Sequence, residues 1–395
     1  MLSAEKKFIS ALERNRFWLF LILVTAFGIM ARMPCLPNQS DDYTAFLQPW
    51  FDTIEANGFA SLGSQVGEYS ITYQFLIVLL TYLPFGSLIN YKLLSIVFDY
   101  LLAVAVGKLV YVISGKQDRI IFAAGYAAAL LCPTVVMNSA AWAQCDSIYS
   151  FFCVMSLCYL YEKKDIRAFV FLGLAFAFKL QAIFIVPVFL YIYFTEKRFS
   201  ILYFLISIGS FYTAALPGFI FGRDLLAPIT IYLDQKSLYH SMTLNIPNLW
   251  GIFDGEYQYY SSLAISITLL MYGAALFFTM GQKGIFADPV RFVSLSAWSC
   301  WTAAMFLPGM HERYMYLGDI LLISLALIRR RYTVIAVSAV LVSIVTYGTY
   351  LCGLPTFTRE TSILYILLWV VFTMLFFRDI FTGSSLDKND KGNAD

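Results

Sequence analysis

Charged side chains are scarce in this sequence. Asp, Glu, Lys and Arg make up 13% of its 395 residues, against roughly 25% in soluble domains. Hydrophobic residues make up 60%, and they are gathered in long runs separated by short charged patches. This composition excludes a soluble globular domain and indicates an all-α, polytopic membrane protein.

The sequence also lacks a metal-binding or disulfide pattern. Its seven cysteines show no metal-ligand spacing and lie mostly in apolar runs, so we expect no disulfide framework. There is no internal repeat and no linker. We therefore expect one transmembrane domain at 1–382, followed by a disordered cytoplasmic tail at 383–395. The first apolar run, Phe17 to Met30, has no small-residue cleavage site and is interpreted as a retained anchor.

The positions of Lys and Arg predict the topology. Twelve spans with both ends in the cytoplasm place 20 of the 27 basic residues on inner segments. The thirteen-residue run Ile71 to Leu83 is too short for a core of roughly 30 Å, so we expect a helix lying on the outer face. The predicted spans are 17–34, 91–114, 120–137, 146–161, 167–179, 180–194, 200–217, 258–280, 289–307, 313–328, 333–350 and 362–379. The outer loops are then 35–90, 138–146, 218–257 and 308–313.

Polar segments from distant parts of the chain meet on the outer side of this topology. They combine adjacent carboxylates, cations and aromatic rings, whereas the inner loops are short and basic. Charged groups near membrane depth are expensive and usually face a cavity or one another, so we predict a functional site here. The candidate catalytic residues are Asp42 and Asp41. The candidate binding residues are Trp50, Trp142, Gln144, Asp146, Lys179, Gln181, Asn245, Asn248, Trp250, His311, Glu312, Arg313 and Tyr314.

Each of these residues also has a purely structural interpretation. Asp42 and Asp146 are placed where they could cap helices, although Pro49 would kink a helix that follows Asp42. The two asparagines around Pro247 could form turns. Lys179 could extend toward the membrane surface, and His311 with Glu312 could be a solvated turn. The sequence leaves these alternatives open.

Taken together, these residue types favour glycosyl transfer from a lipid-linked phosphosugar. Cations at the lipid boundary can hold a phosphate. A carboxylate can accept the proton of an attacking hydroxyl, and Trp or Tyr faces suit the apolar side of a sugar ring. Because a phosphate is a good leaving group, one carboxylate base suffices, unlike the two used in glycoside hydrolysis.

Five segments resemble the GT-C glycosyltransferases, polytopic enzymes that use polyprenyl-phosphate sugars. They are most similar to bacterial relatives of the eukaryotic GPI mannosyltransferase II family. The segments occur in the family's order and span most of the chain. They are DDYTAFLQPW, WAQCDSIY, KLQAIFIVP, LNIPNLW and PGMHERYMY.

The resemblance implies roles for particular residues. The family's Asp-Tyr or Asp-Phe pair matches Asp42–Tyr43, which makes Asp42 the catalytic base and Asp41 its neighbour. His311 and Glu312 resemble the His-Glu motif of dolichol-linked oligosaccharide glucosyltransferases, placed near the donor phosphate. The expected partners are a polyprenyl-phosphate sugar, a glycan or lipid-linked acceptor and membrane lipids, with no nucleic acid. Metal-dependent GT-C oligosaccharyltransferases carry further acidic ligands that have no counterpart here, so we expect neither metal nor other cofactor.

Two other functions remain open from the sequence. A transporter or flippase for lipid-linked glycans suits twelve spans, but such proteins often carry repeats and bind substrate at mid-membrane. Asp99 and Asp319, which lie away from the ends of their predicted spans, could form a proton path, pair with a nearby base or hydroxyl, or line the outer cavity. A glycan polymerase would need more basic residues in its large outer loop. Short loops favour a bacterial plasma membrane with the site on the extracellular face.

Overall fold

The structure, a computed structural model, describes residues 1–115, 119–238, 240–253, 255–354 and 359–382, without the side chains of 236–238. The predicted tail at 383–395 lies outside the described residues. The described part is all-α apart from one pair of short strands, as the sequence predicts. Its α-helices are α1 (Ser3–Arg32), α2 (Gln48–Asn57), α3 (Ile71–Leu80), α4 (Ser87–Ile113), α5 (Arg119–Leu130), α6 (Pro133–Val136), α7 (Asp146–Tyr161), α8 (Asp165–Phe178), α9 (Val186–Glu196), α10 (Phe204–Ala214), α11 (Leu216–Ile220), α12 (Ala227–Leu238), α13 (Tyr257–Thr279), α14 (Pro289–Phe306), α15 (Tyr316–Ile328), α16 (Thr333–Cys352) and α17 (Arg359–Thr382).

Shorter elements connect these helices. The strands β1 (Thr243–Leu244) and β2 (Met310–His311) pair in parallel. Two π-helical segments cover Tyr43–Leu47 and Met137–Ala141. The 3₁₀ turns are Met33–Cys35, Gly58–Gly63, Leu180–Ile185, Ile201–Tyr203, Leu249–Gly251, Ile285–Ala287 and Arg330–Tyr332.

Several helices are suited to a membrane. Within the described residues, five are long and apolar enough to cross one, and a sixth span results if the bent pair Arg119–Leu130 and Pro133–Ala141 counts as one. Each of the twelve predicted spans coincides with a helical segment, but the other helices are shorter or less apolar. The chain is thus a membrane protein by its helices, and the number twelve stays a prediction. The five helices are Ser3–Cys35, Ser87–Ile113, Tyr257–Thr279, Arg330–Cys352 and Arg359–Thr382.

Helix α3 covers most of the apolar run that was excluded as a span. Its ten residues, Ile71–Leu80, extend about 15 Å at 1.5 Å per residue, roughly half of a hydrocarbon core. The helix begins where the Ser70 side chain accepts a hydrogen bond from the Tyr73 N–H, and turns follow it before Pro84. Its length agrees with a helix that does not cross the bilayer.

Helix α4 lies at the centre of the N-terminal half, packed against α5 and α7. Small residues permit this packing: a β-carbon at Gly125 would lie 3.0 Å from the Gly107 Cα. Close approach at small residues is how apolar helices associate in lipid. Helix α14 has the same place in the C-terminal half, against α15 and α17.

A buried ion pair fastens α1 to α4. The Arg32 guanidinium donates to Asp99 Oδ2 from Nε at 3.0 Å and from Nη2 at 2.8 Å, and both side chains are buried. The Ser139 hydroxyl donates to the same oxygen at 2.5 Å. Of the alternatives for Asp99, pairing with a base and a hydroxyl is confirmed. Through Ser139 the pair also fixes the start of the second predicted outer loop.

Candidate active site

The Asp42 carboxylate is held by three hydrogen bonds from two distant parts of the chain. Its Oδ2 accepts from Trp142 Nε1 at 2.9 Å and from Gln144 Nε2 at 2.8 Å. Its Oδ1 accepts from the Tyr350 hydroxyl at 2.6 Å. The Trp142 and Tyr350 rings also stack, with centroids 4.4 Å apart. These donors fix the orientation of the carboxylate.

The capping interpretation of Asp42 does not hold in the described structure. Asp42 precedes the π-helical segment Tyr43–Leu47, but its side chain makes no capping hydrogen bond. Pro49 lies in the first turn of α2, a position that proline often occupies.

Irregular backbone brings the donors to Asp42. The π-helical segment Met137–Ala141 closes with the Trp142 N–H on the Met137 carbonyl at 3.0 Å. Ala143 then adopts φ = 66°, in the left-handed region. The side chains on either side of Ala143, those of Trp142 and Gln144, both reach Asp42 Oδ2. A π-helical segment on each side of the contact fits the enrichment of such segments at functional sites.

Asp146 joins two cations beside this carboxylate. Its Oδ1 lies 2.6 Å from Lys179 Nζ, and its Oδ2 accepts from Asn138 Nδ2 at 2.8 Å and lies 3.8 Å from Arg313 Nε. Asp146 and Lys179 are buried. Asp146 is therefore an ion-pair partner more than a helix cap, and Lys179 does not extend toward a membrane surface.

Two aromatic residues connect the cations with Asp42. The Arg313 guanidinium lies over the Trp142 ring, 5.4 Å from its centroid. Lys179 Nζ lies 5.9 Å from the centroid of Tyr69, whose hydroxyl donates to Gln144 Oε1 at 3.2 Å. Trp142 therefore contacts both Arg313 and Asp42, and Tyr69 connects Lys179 to Asp42 through Gln144.

His311 and Glu312 are held by the short sheet and by Arg313. Leu244 of β1 pairs with His311 of β2, and Arg313 Nη1 donates to Glu312 Oε1 at 2.9 Å. Burial, followed by the charges of Arg313 and Lys179, lowers the pKa of His311 from 6.5 to about 2. Burial raises the pKa of Glu312, although the charge of Arg313 opposes this rise. His311 is therefore neutral at physiological pH and acts as a hydrogen-bonding group rather than a cation.

These side chains surround one open cavity. Its volume is about 130 Å³. The lining residues are Asp42, Phe46, Leu47, Trp50, Glu68, Tyr69, Gln144, Phe178, Lys179, Gln181, Tyr232, Gln235, His311, Arg313 and Tyr314.

Six predicted binding residues lie outside this lining, and three of them belong to the segment 245–250. Asn248 is buried, and its Oδ1 accepts from the Trp250 and Gly251 N–H groups, which is the turn-forming role that the sequence left open. Trp250 donates to the Phe306 carbonyl at 2.8 Å. Asn245, at φ = 61°, forms a backbone bridge with His311. Of these three residues, Asn245 alone contacts a residue of the cavity lining, His311.

The remaining predicted residues divide by their contacts. Asp41 is exposed, and its carbonyl accepts from the Thr44 hydroxyl, so it does not line the cavity. Asp146, Glu312 and Trp142 lie behind the lining and hold the residues that form it. Asp319 is buried in α15 and also lies outside the cavity lining.

Sequence reasoning missed several residues that line the cavity or bond to Asp42. Glu68 and Tyr69 lie in the first outer loop, and Tyr232 and Gln235 are on α12 in the third. Tyr350 lies at the outer end of a predicted span. A polar or aromatic residue in an outer loop was the available signal, but it does not distinguish these positions from their neighbours.

The described residues contain no group of three or more His, Cys, Asp or Glu side chains placed to hold a metal ion. Compared with known proteins, the chain matches no family model and no curated sequence with significant similarity.

Proposed function

We propose that this protein is an integral membrane glycosyltransferase that moves a hexose from a polyprenyl-phosphate donor to a glycan or lipid-linked acceptor. The observation that carries the proposal is the cavity itself. An oriented carboxylate, Asp42, lines it together with Lys179, Arg313 and His311, which can hold a phosphate. The resemblance to the GT-C glycosyltransferases leads to the same function.

Asp42 acts as the general base. A carboxylate has about four lone-pair sites, and Asp42 uses two on Oδ2 and one on Oδ1 for its three donors. One site on Oδ1 remains for the hydroxyl of an acceptor. That oxygen takes the proton as the hydroxyl attacks the anomeric carbon and the phosphate leaves from the opposite face, with inversion.

The donor phosphate binds among Arg313, Lys179 and His311. Each of the two cations already has a buried carboxylate partner, Glu312 or Asp146, so the cluster is neutral before the donor arrives. Arg313 lines the cavity, and a guanidinium has five N–H donors, of which the hydrogen bond to Glu312 uses one on Nη1. A phosphate therefore gains hydrogen bonds here without breaking either ion pair.

Seven basic residues lie outside the predicted inner segments, and their contacts explain why they do not contradict the twelve-span topology. Most of these exceptions to the positive-inside pattern are bonded within the fold. Lys92 Nζ, for example, donates to three carbonyls, those of Cys35, Leu36 and Asn38. Arg32, Lys179, Arg223 and Arg313 also have hydrogen-bonded partners. A cation that is required inside the fold carries no topological signal. We place the site on the extracellular face of a plasma membrane, with both termini in the cytoplasm.

The proposal is tested by incubating purified protein with a panel of radiolabelled undecaprenyl-phosphate hexoses and crude lipid-linked acceptors. We expect transfer or slow donor hydrolysis with at least one hexose. The competing transporter function is tested in parallel, by reconstituting the protein in liposomes with a fluorescent lipid-linked glycan. Translocation without any donor turnover would replace the glycosyltransferase by a flippase.

A further inference from the structure

Glu68 is the second carboxylate that lines the cavity. Its side chain accepts no hydrogen bond from any group in the described part of the chain. Burial raises its pKa, and the negative charge of Asp42 adds to the rise. The two carboxylates are therefore close enough to repel each other, and Glu68 forms no ion pair with a cation among the side chains that the structure describes.

The backbone around Glu68 is nevertheless firmly held. The Gln65 side-chain amide donates to the carbonyls of Gly67 at 2.7 Å and of Tyr69 at 2.8 Å, one on each side of Glu68. Arg223 holds the same Gln65 by donating to its Oε1 at 2.7 Å. The hydrogen bonds of Gln65 thus hold the turn without involving the Glu68 side chain.

Gly67 fixes this turn against a cavity ring. It adopts φ = 71°, and a β-carbon there would lie 2.3 Å from Trp50 Cδ2. Only glycine permits this close approach with this backbone conformation. Trp50 in turn packs edge-on against Tyr69, with ring centroids 5.6 Å apart. Glu68 therefore lies between two anchored residues.

Helix α12 covers the same turn from the third outer loop. Tyr232 and Gln235, three residues apart and so on one helix face, both line the cavity. The Gln235 side-chain amide donates to the Glu68 carbonyl, and the Tyr232 hydroxyl donates to the Phe176 carbonyl at 2.5 Å. A carboxylate that lines a cavity, on a backbone held by hydrogen bonds on both sides, is preorganised for a ligand.

The charge of this wall decides which ligand group it takes. A phosphate would be repelled by Glu68 and Asp42 together, so the donor phosphate belongs with the cations. Sugar hydroxyls are donors that an ionised carboxylate and an amide oxygen accept well. We propose that Glu68 and Gln235, beside the Trp50 ring, form a subsite for the acceptor sugar. This subsite binds hydroxyls next to the one that Asp42 deprotonates. This inference rests on the proposed function.

The test measures the two halves of the cavity with separate probes. Protein in lipid nanodiscs is titrated with undecaprenyl phosphate for the donor half, and with the methyl α-glycosides of glucose, mannose and galactose for the acceptor half. We expect at least one glycoside to bind. Glu68→Ala should weaken its binding about tenfold or more, and Glu68→Gln about threefold, because a neutral amide forms a weaker bond. Undecaprenyl phosphate affinity should stay within about twofold.

A matched control and a pH series separate the side chain from the fold. Glu55→Gln removes an exposed carboxylate from α2 in the same outer loop and should leave both affinities unchanged. In the wild type, glycoside affinity should rise with pH as Glu68 ionises at its raised pKa, and this rise should be absent in Glu68→Gln. If Glu68→Ala unfolds, Glu68→Gln decides, because it keeps the shape of the side chain.

The outcomes distinguish the subsite from the proposed function. Glycoside affinity within twofold of wild type in Glu68→Gln and Glu68→Ala would overturn the subsite. Binding of undecaprenyl phosphate without any glycoside would also overturn it, while leaving the glycosyltransferase in place. Glu68-dependent glycoside binding without undecaprenyl phosphate would keep the sugar subsite and remove the proposed donor.

Discussion

Replacing Asp42 with Asn should separate its chemistry from its structural role. The Asn amide keeps one acceptor oxygen, which can face Trp142 and Gln144 as Oδ2 does now. Its NH₂ group then faces Tyr350, whose hydroxyl can turn and accept instead of donating. All three contacts survive as neutral hydrogen bonds, so we expect a loss of only about 1–2 kcal/mol in the free energy of unfolding.

The loss of transfer rate should be much larger. General base catalysis contributes about 10²–10⁴-fold, which corresponds to about 3–5 kcal/mol of transition-state stabilisation. The Asn side chain cannot take the proton of the acceptor hydroxyl. Transfer should therefore fall by at least about 100-fold, while the affinity for undecaprenyl phosphate stays near that of the wild type.

The assay follows transfer from a radiolabelled donor and thermal unfolding on the same preparation. Asp41→Asn is the matched control, because it removes an exposed neighbouring carboxylate that is outside the cavity lining. We expect less than a tenfold effect from it. A folded Asp42→Asn protein that transfers sugar at the wild-type rate would refute the assignment of the base. The base would then be sought at Glu68, since Asp146 is buried and paired with Lys179.

Four further results are expected. Arg313→Ala should weaken undecaprenyl phosphate binding by about tenfold or more, measured in nanodiscs, because a charge-assisted contact is worth about 1.5–3 kcal/mol; unchanged affinity would remove the phosphate from this cluster. Lys179→Ala should lower the free energy of unfolding by about 3–5 kcal/mol, because it leaves Asp146 buried without its cation. Adding Asp146→Asn should recover part of the loss in melting temperature. No recovery in the double variant would contradict the ion pair. Because the pKa of His311 is lowered in the folded protein, the unfolded chain binds a proton below pH 6.5 that the folded protein does not bind. The free energy of unfolding should therefore fall by about 1.4 kcal/mol per pH unit between pH 6.5 and pH 2 through His311. Denaturant titrations of wild type and His311→Gln measure this fall, and equal pH slopes of the two proteins would contradict it. Cys352, exposed at the end of α16, should react with an impermeant maleimide added outside intact cells, and protection until permeabilisation would reverse the topology.

The sequence by itself determined the class of the protein and the positions of its helices. Long apolar runs leave few alternatives to membrane helices, because an unpaired backbone is too costly in lipid. This is why each of the twelve predicted spans coincides with a helical segment. The short run at Ile71 to Leu83 was separable from the spans for the same reason, since its length alone does not cover the core.

The sequence also marked part of the site. Asp42, Lys179, His311 and Arg313 were found because charged groups are conspicuous in an apolar chain, and all four line one cavity. The same signal selected Asn248, although that residue forms a turn. Charge and polarity indicate that a residue is needed but do not say for what.

Only the tertiary structure decided which side chains face one another. Tyr350 reaches Asp42 from 308 residues along the chain, and no local pattern encodes such a contact. Trp142 and Gln144 donate to the same oxygen on either side of Ala143, which adopts a left-handed conformation. An alanine gives no sequence signal for that conformation. In the sequence, Glu68 is not distinguishable from a solvated acid in a loop. In the structure, Gln65 and the neighbouring helix hold its backbone at the cavity. The helices follow from local physical constraints that repeat along the chain. The site depends on single contacts between distant residues, which come together only when the chain is folded.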